Sequence, residues 1–284
     1  MPVNPYFKII TEGSTDVEVT NKLYSDDYYV YTTTAANSYT GTVNIPATIV
    51  YEDVTYTVTR VGRGAFYGST GLISVTLPVG IQVIEAYAFN GCSSLETVAL
   101  PATGFTTIGT NVFNGCSKLE TLHLPASLTS INRDNATFLG CSILSFTAAA
   151  GGAFSVSDGV LYERGTDDDS GNARYYIRWI PETKTGEYAI PDGVVRITRF
   201  AIYGNKLTKI SVPASVTFIG QTNFENCTLL TDIVLNWADP NVCTTNYVTV
   251  SFKSNITLHV PVGSVALYAG HEVWGSGFKE IKEQ

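Results

Sequence analysis

The chain has few of the residues on which most catalytic and metal centres depend. Its 284 residues include three histidines, one methionine and five cysteines, and no two cysteines form a Cys-x-x-Cys pair. A structural zinc site therefore has little support. His271-Glu272 lacks the second histidine that a His-Glu-x-x-His metalloprotease needs. A Ser-His-Asp or Cys-His site would have to recruit an isolated histidine, so the sequence predicts no catalytic residue, no cofactor and no enzyme.

Charged residues and long apolar runs are also scarce. Only 15% of the residues are charged, and 25 acidic against 17 basic residues give a net charge of −8. A negative field repels nucleic acid and anionic membranes, so we expect no nucleic-acid partner. No stretch approaches the roughly 18 uncharged apolar residues of a membrane span, and we expect no membrane insertion of this segment.

The first residues, Met-Pro-Val-Asn-Pro, lack the basic region and apolar core of a signal peptide. This leaves two expectations, a cytosolic protein or a mature segment from which a signal or anchor has been removed. The low charge and the many threonines, tyrosines and glycines favour the second, with an extracellular or cell-surface location.

The chain contains instead a repeated sequence motif. Phenylalanines recur at intervals of 23, 24 and 25 residues, at Phe66, Phe89, Phe113 and Phe138. The last three open Phe-x-Gly-Cys, and Phe224 opens the related Phe-x-Asn-Cys. After an interruption the repeat spacing resumes at Ile202, which occupies the Phe position 22 residues before Phe224. A leucine follows each of these cysteines by three residues. A leucine-rich period in the twenties predicts a solenoid, in which each coil buries its apolar face against its neighbours.

The repeat also gives the cysteines a structural interpretation. Four of them share the position three residues after the Phe, namely Cys92, Cys116, Cys141 and Cys227. We expect this position to point inward on every coil, with the thiol packed as a small apolar group. Coils ~4.8 Å apart are close enough for disulfides, which stay as an alternative, although parallel Cα–Cβ vectors disfavour them. Cys243 lies outside this ladder and has no assigned partner.

The pattern predicts one continuous domain with a cap at each end. Residues 1–42 form an N-terminal β cap, with strands at 7–10, 17–20 and 28–34. Residues 43–260 form the repeats, which a β-hairpin interrupts at about 147–197. Each repeat has a first strand such as 95–100, a second strand ending in an Ile and a turn, and a tight helical turn at Phe-x-Gly-Cys. Residues 261–284 form a C-terminal cap, with Ser264 at the start of a short helix.

These motifs resemble the BspA-like, or Treponema pallidum-type, leucine-rich repeats over about residues 39–281. The matching features are the Ile-Pro…Tyr-Thr-Val-Thr-Arg-Val-Gly entry at 45–62, the repeated units, the Asp-Gly-Val-Leu-Tyr hairpin and the His-Val-Pro-Val-Gly-Ser-Val-Ala-Leu-Tyr ending. The resemblance implies a right-handed leucine-rich-repeat solenoid, mainly β with short helical turns, a β-hairpin cap and a short C-terminal cap. It also implies export to the cell surface and adhesion or binding to a host protein. A parallel β-helix, with three strands per coil, is the competing fold.

The outward positions of the first strands form the predicted binding site. In a solenoid they stack into one continuous face, which suits a flat protein or glycan partner better than a small molecule. The simpler alternative is that this face is only the solvated side of the sheet. In chain order the positions are Ser74, Thr76, Thr97, Ala99, Thr121, His123, Lys209, Ser211, Asp232 and Val234.

Two acidic groups offer alternatives. Glu96 and Glu120 share a repeat position, so their carboxylates could lie ~5 Å apart, near the spacing of a retaining glycosidase. An extracellular carbohydrate-processing or carbohydrate-binding β-solenoid is therefore the second hypothesis, against a solvated rim. Asp167 and Asp169, at the tip of the predicted hairpin, carry the oxygen ligands that calcium prefers. The EF-hand pattern is absent there, and no metal site is predicted beyond this candidate pair.

Overall fold

The computed structural model describes residues 6–10, 14–20, 39–132, 136–141, 144–166, 171–245 and 248–284. The chain divides into two compact units, Met1–Val156 and Ser157–Gln284. The strands of the first unit are β1 (Tyr6–Ile9), β2 (Asp16–Thr20), β3 (Thr40–Asn44), β4 (Thr48–Tyr51), β5 (Val54–Val61), β6 (Gly71–Thr76), β7 (Val83–Ile84), β8 (Thr97–Ala99), β9 (Thr107–Ile108), β10 (Thr121–Leu124), β11 (Ser130–Ile131) and β12 (Ser145–Ala148).

Strand β13 (Phe154–Ser157) contains the boundary between the units. The second unit is again mostly strand. Its elements are β14 (Val160–Arg164), β15 (Tyr175–Trp179), β16 (Thr185–Ala189), β17 (Val194–Ile197), β18 (Lys206–Val212), β19 (Phe218–Ile219), β20 (Asp232–Leu235), 3₁₀ turns at Pro240–Val242 and Lys253–Asn255, β21 (Thr257–Val260), α1 (Val265–Ala269) and β22 (Glu280–Glu283).

Each unit has two sheets, and strands of the two sheets alternate along the chain from β6 to β12 and from β15 to β20, as successive coils require. In the first unit, β3, β6, β8, β10 and β12 form one parallel sheet, and the short strands β7, β9 and β11 continue the sheet begun by β1, β2 and β5. In the second unit, β16, β18, β20, β21 and β22 are parallel neighbours, and β15, β17 and β19 form the other ladder. The solenoid predicted from the repeat is confirmed.

A stack of aromatic rings forms the spine of the first unit. Neighbouring rings lie 5.0 Å apart for Phe66 and Phe89, 5.6 Å for Phe89 and Phe113, and 6.2 Å for Phe113 and Phe138. The first two pairs are inclined by 2° and the third by 9°, so the rings are parallel. The phenylalanines predicted to occupy equivalent slots therefore stack on one another, each at most 4% exposed.

Aromatic side chains close both ends of this stack. Tyr39 packs on Phe66 at 4.7 Å, and its hydroxyl donates to the Thr20 carbonyl 2.9 Å away in the antiparallel β1–β2 pair. At the other end, Phe146 meets Phe138 edge-on at 4.9 Å. In this repeat Ala148-Ala149 stands in place of the Leu124-Pro125 of the preceding repeat, yet β12 pairs with β10 in regular parallel register. The first two predicted strands are confirmed; the third, at 28–34, lies outside the described residues.

The Phe-x-Gly-Cys segment is a pair of tight turns, without a regular helix. In the second repeat, the Cys92 N–H donates to the Phe89 carbonyl and the Leu95 N–H to the Cys92 carbonyl, at 3.1 and 3.0 Å. Gly91 between them has a φ of +74°, and Asn226 at the equivalent place in Phe-x-Asn-Cys has a φ of +55°. Glycine, and less readily asparagine, tolerates this left-handed backbone, which explains why these two residues occupy the position.

A second glycine position is set by the close approach of neighbouring coils. Gly109 follows Ile108 at the end of β9, and a Cβ there would lie 2.8 Å from the Ala86 nitrogen. At Gly220, after Ile219, the corresponding distance to the Arg199 nitrogen is 2.6 Å. The Ile-Gly turns predicted to end the second strand therefore mark places where backbones touch.

The predicted hairpin is present in the second unit. Strands β14 and β15 pair antiparallel, with a bulge at Leu161/Tyr162, and β15 then pairs parallel with β17. The Tyr162 and Tyr188 hydroxyls hydrogen-bond to each other at 2.5 Å, which connects the hairpin to β16. The hairpin is thus part of the sheet of its unit. The division of the whole chain into caps, array and a single domain stays a prediction.

Asn223 stands where the other coils have Ala, Val or Thr before the Phe position. It is fully buried, and its Oδ1 accepts from the Ile202 N–H at 3.0 Å. Its Nδ2 donates to the Thr198 and Gly220 carbonyls, both at 2.9 Å. Ile202 is 1% exposed, so the coil keeps its register with Ile in the Phe position.

An aromatic cluster fills the end of the second unit. Trp274 is fully buried and lies 6.2 Å from Phe224 and 6.4 Å from Trp237, measured between ring centroids. The Tyr268 hydroxyl donates to the Trp237 carbonyl at 2.9 Å. Helix α1 begins after Ser264, as predicted, and the backbone carbonyl of Ser264 accepts from Tyr268.

Candidate functional site

The cysteine ladder forms hydrogen bonds between successive coils. The thiol of Cys92 donates to the Phe66 carbonyl at 3.0 Å, and that of Cys116 to the Phe89 carbonyl at 3.1 Å. Cys141 bonds in the same way to Phe113, and Cys227 to Ile202. The predicted inward position is confirmed, with a polar role that the sequence interpretation lacked. All five cysteines lie within the described residues and are buried, and the structure joins none of them in a disulfide.

We predict that these thiols stay unreactive while the protein is folded. Burial raises the pKa of Cys116 and Cys243 to about 12, and that of Cys227 to about 11. Since the thiolate is the reactive form, a disulfide reagent at pH 8 should label almost no cysteine in buffer and all five in denaturant. Mass spectrometry of the labelled chain gives the count; rapid labelling of Cys116 in buffer would contradict the prediction.

The outward positions in the first unit form two rows, which we call the hydroxyl face. Parallel register aligns Ser74 with Thr97 and Thr97 with Thr121. The register extends to one further strand on each side, to Thr42 and Ser145. The second row lies two residues further along each strand. The hydroxyl face therefore comprises Thr42, Ser74, Thr97, Thr121 and Ser145 in the first row, and Asn44, Thr76, Ala99, His123 and Thr147 in the second.

The hydroxyl face is exposed and nearly free of charge. Thr97, Thr121 and His123 are exposed, and His123 is the only ionisable residue of the ten. Three contacts fix some of these side chains: Ser74 Oγ donates to Thr42 Oγ1 at 2.9 Å, His123 Nδ1 lies 2.8 Å from Thr147 Oγ1, and Ser145 Oγ donates to the Glu120 carbonyl at 3.1 Å. Strand spacing places neighbouring side chains ~4.8 Å apart across the sheet. Apart from Ala99, the result is a regular grid of groups that can each donate and accept hydrogen bonds.

The equivalent positions in the second unit carry charges, and we call them the charged face. The strand register aligns Glu187, Lys209, Asp232, Thr257 and Glu280 in one row. The other row holds Ala189, Ser211, Val234, His259 and Lys282. Lys209 Nζ lies 3.1 Å from Glu187 Oε2, His259 Nε2 lies 2.6 Å from Asp232 Oδ1, and Lys282 Nζ lies 3.8 Å from Glu280 Oε2.

The Asp232–His259 contact changes the acidity of the aspartate. Partial burial acts to raise the pKa of Asp232, but hydrogen bonds from His259 and Thr231 outweigh it and lower the pKa below its usual value. The carboxylate is therefore held ionised and already paired. Because the other charges of this face also have partners within it, the face offers fewer uncommitted groups than the hydroxyl face.

Sequence reasoning identified part of each face. The structure places Ser74, Thr76, Thr97, Thr121 and His123 on the hydroxyl face, and Lys209, Ser211 and Asp232 on the charged face. The sequence interpretation missed His259, Glu280 and Lys282, because the repeat motif is absent from the last coils. The alternation of buried Leu258 and Val260 around His259 was the available signal. That all the predicted positions form one continuous surface stays a prediction.

The acidic candidates have different outcomes. Glu96 and Glu120 are both exposed and immediately precede the adjacent strands β8 and β10, and the Glu120 N–H donates to the Glu96 carbonyl at 3.3 Å. This is the predicted repeat position at the margin of the hydroxyl face. The calcium candidates Asp167 and Asp169 lie outside the described residues. Across the described ranges, no three His, Cys, Asp or Glu side chains form a group that could hold a metal ion.

Comparison with known families agrees with the coil pattern. The sequence model of the family described as BspA type leucine rich repeat region matches this chain in six copies, over residues 35–156 and 182–258. The chain belongs to this family. Among curated proteins, none matches the chain significantly. In the part of this BspA-type protein that the structure describes, the helices are too short to reach across a lipid bilayer.

Solved structures of leucine-rich-repeat proteins resemble this BspA-type chain at low sequence identity. One from Eubacterium ventriosum is 16% identical, with a TM-score of 0.52, covering 87% of this chain and 73% of its own. One from Bacteroides ovatus is 18% identical, with a TM-score of 0.49, covering 100% and 76%. The leucine-rich-repeat protein of T. pallidum is 18% identical, with a TM-score of 0.44 and 96% coverage of both chains. At this identity, the first of these likenesses supports the fold alone.

Proposed function

We propose that this protein is a non-enzymatic binding module of a cell surface, and that its hydroxyl face holds an extracellular or host protein or glycan. The supporting observation is the parallel register that aligns exposed Thr97 and Thr121 with Ser74 and Ser145. An ordered, exposed grid of donors and acceptors matches a flat polar partner. Such side chains contribute affinity when they already have fixed positions, because less conformational entropy is lost on binding.

The surface location rests on the family and on composition. The repeats resemble those of exported proteins. The composition, with 15% charged residues and 17 tyrosines, is also that expected of an exported protein. A role in adhesion follows if the partner belongs to a host or a neighbouring cell.

An array of host-matrix proteins and glycans, probed with the whole chain, identifies the partner. Thr121 lies on the hydroxyl face between Thr97 and Ser145, so Thr121→Arg should weaken binding of that partner at least tenfold, or about 1.4 kcal/mol. Ser130→Arg is the matched control, because Ser130 is exposed on β11 in the other sheet. Surface plasmon resonance measures both, and the melting temperature checks that both variants fold.

Three results would oppose the proposal. They are an array on which nothing binds, equal loss of affinity in the two variants, and a hydrolytic or transferase activity that a point change abolishes. The first would favour a purely structural spacer. The last would favour an enzyme, for which Glu96→Gln and Glu120→Gln are the first variants to assay.

A further inference from the structure

A cleft of about 690 Å³ opens in the second unit, and none of its lining residues belongs to the charged face. This volume lies within the roughly 300–1,000 Å³ of small-molecule sites. Six of its eight lining residues are polar or glycine, and two are valines. The lining residues are Asn241, Thr245, Val248, Lys253, Gly270, His271, Glu272 and Val273.

The backbone holds His271 in one orientation. Its Nδ1 accepts from the N–H groups of Val273 and Trp274, at 3.2 and 3.3 Å. A ring nitrogen that accepts has no proton, so the neutral ring carries its proton on Nε2. Burial lowers the pKa of His271, although Glu272 and Asp239 act to raise it, and the neutral form is therefore favoured. No described protein atom accepts the Nε2–H, which leaves a fixed neutral donor at the wall of the cleft.

The other polar side chains have hydrogen-bonding capacity that the protein does not use. The Lys253 ammonium donates to the carbonyls of Val273 at 2.6 Å and Ser276 at 3.4 Å, and a third N–H remains. Asn241 donates to Asp239, so its own Oδ1 is left as an acceptor. Among the described residues, the Thr245 hydroxyl and the Glu272 carboxylate have no hydrogen-bond partner. Donors and acceptors are thus mixed around one cavity.

The balance of charge and polarity restricts the ligand. The negative charge of Glu272 disfavours binding of an anion, and the positive charge of Lys253 disfavours binding of a cation. The two valines give too little apolar surface to bind a hydrophobic molecule. A sugar hydroxyl both donates and accepts, which matches the mixed groups of the wall. We infer that this cleft is a second binding site, which takes one or two residues of an uncharged sugar. This inference does not rest on the hydroxyl face, and either site can exist without the other.

The test is titration of the isotopically labelled full chain with maltose, cellobiose, lactose and mannobiose. At least one of these sugars should shift the amide resonances of Gly270, His271 and Val273 at millimolar concentration. The double variant Thr245→Val with Glu272→Gln should weaken that binding about tenfold, or 1.4 kcal/mol. Thr245→Val removes a hydroxyl, and Glu272→Gln turns one acceptor oxygen into a donor NH₂. Neither group has a structural partner among the described residues, so the melting temperature should stay unchanged.

Thr208→Val is the control, because Thr208 is exposed on β18 and does not line the cleft. Its sugar affinity should equal that of the unaltered protein. The inference is overturned if none of the four sugars shifts the three amides, or if the double variant binds as tightly as the control. It is also overturned if inorganic phosphate shifts these amides at lower concentration than every sugar, since the site would then be an anion site. The array experiment on Thr121→Arg reports separately on the hydroxyl face.

Discussion

Replacing Phe113 with alanine should lower the free energy of unfolding by about 3–5 kcal/mol, the range for deleting a buried aromatic ring. Phe113 is fully buried between Phe89 and Phe138, with centroid distances of 5.6 and 6.2 Å. The change creates a cavity and also removes two parallel ring contacts, each of which adds ~0.5–1.5 kcal/mol beyond buried area. Urea denaturation followed by circular dichroism measures the loss.

Two further substitutions make this experiment specific. Phe113→Leu keeps most of the volume and should lose less than half as much stability as Phe113→Ala. Val79→Ala, at a residue 73% exposed, should change stability by less than ~0.5 kcal/mol. A Phe113→Ala loss no larger than that of Val79→Ala would show that the aromatic stack does not hold the coils together.

The second large effect is expected at the far end of the other unit. Trp274→Ala should cost about 3–5 kcal/mol, because Trp274 is fully buried against Phe224, Trp237 and Phe278. Its ring covers the end of the core, so the loss should appear as early melting of the second unit. Hydrogen exchange monitored by mass spectrometry resolves this, with amides of residues 206–260 losing protection.

Trp274→Phe separates packing from hydrogen bonding. The Trp274 Nε1–H is buried without a partner among the described residues, and an unpaired buried donor costs about 1–3 kcal/mol. Removing it offsets part of the lost volume, so Trp274→Phe should be much less damaging than Trp274→Ala. The exposed Leu267→Ala in α1 is the surface control. Equal losses for Trp274→Phe and Trp274→Ala would contradict the packing explanation.

The features that recur in every coil could be predicted from the sequence. The stacking of Phe66, Phe89, Phe113 and Phe138, the inward thiols, and the exposed Thr97 and Thr121 all follow from one period, because equivalent residues in a solenoid have equivalent neighbours. The predicted strand at 95–100 shortens to Thr97–Ala99, although Leu95 and Val98 are buried as expected. Strand ends depend on individual backbone hydrogen bonds, which the period does not specify.

The features that occur once could not be predicted in this way. Strand β4 was missed, because its residues Ile49 and Val50 precede a Glu52-Asp53 turn with positive φ at both residues, a conformation usually associated with glycine or asparagine. The buried amide of Asn223 replaces a small residue, and two of its three hydrogen bonds depend on Ile202 and Thr198 in the preceding coil. The cleft beside His271 depends on backbone N–H groups that no residue pattern reveals.

Tyr39 and Phe146 seal the two ends of the first aromatic stack, and this has a consequence for how such a chain can change in length. Between those ends, every ring and every thiol meets only the coil before it and the coil after it. A duplicated coil inserted between Phe89 and Phe113 would find the same neighbours on both sides, so the array can grow internally. Removing residues from the N-terminal side would expose Phe66 to water. Shortening the array from that end should therefore destabilise the protein more than inserting a coil.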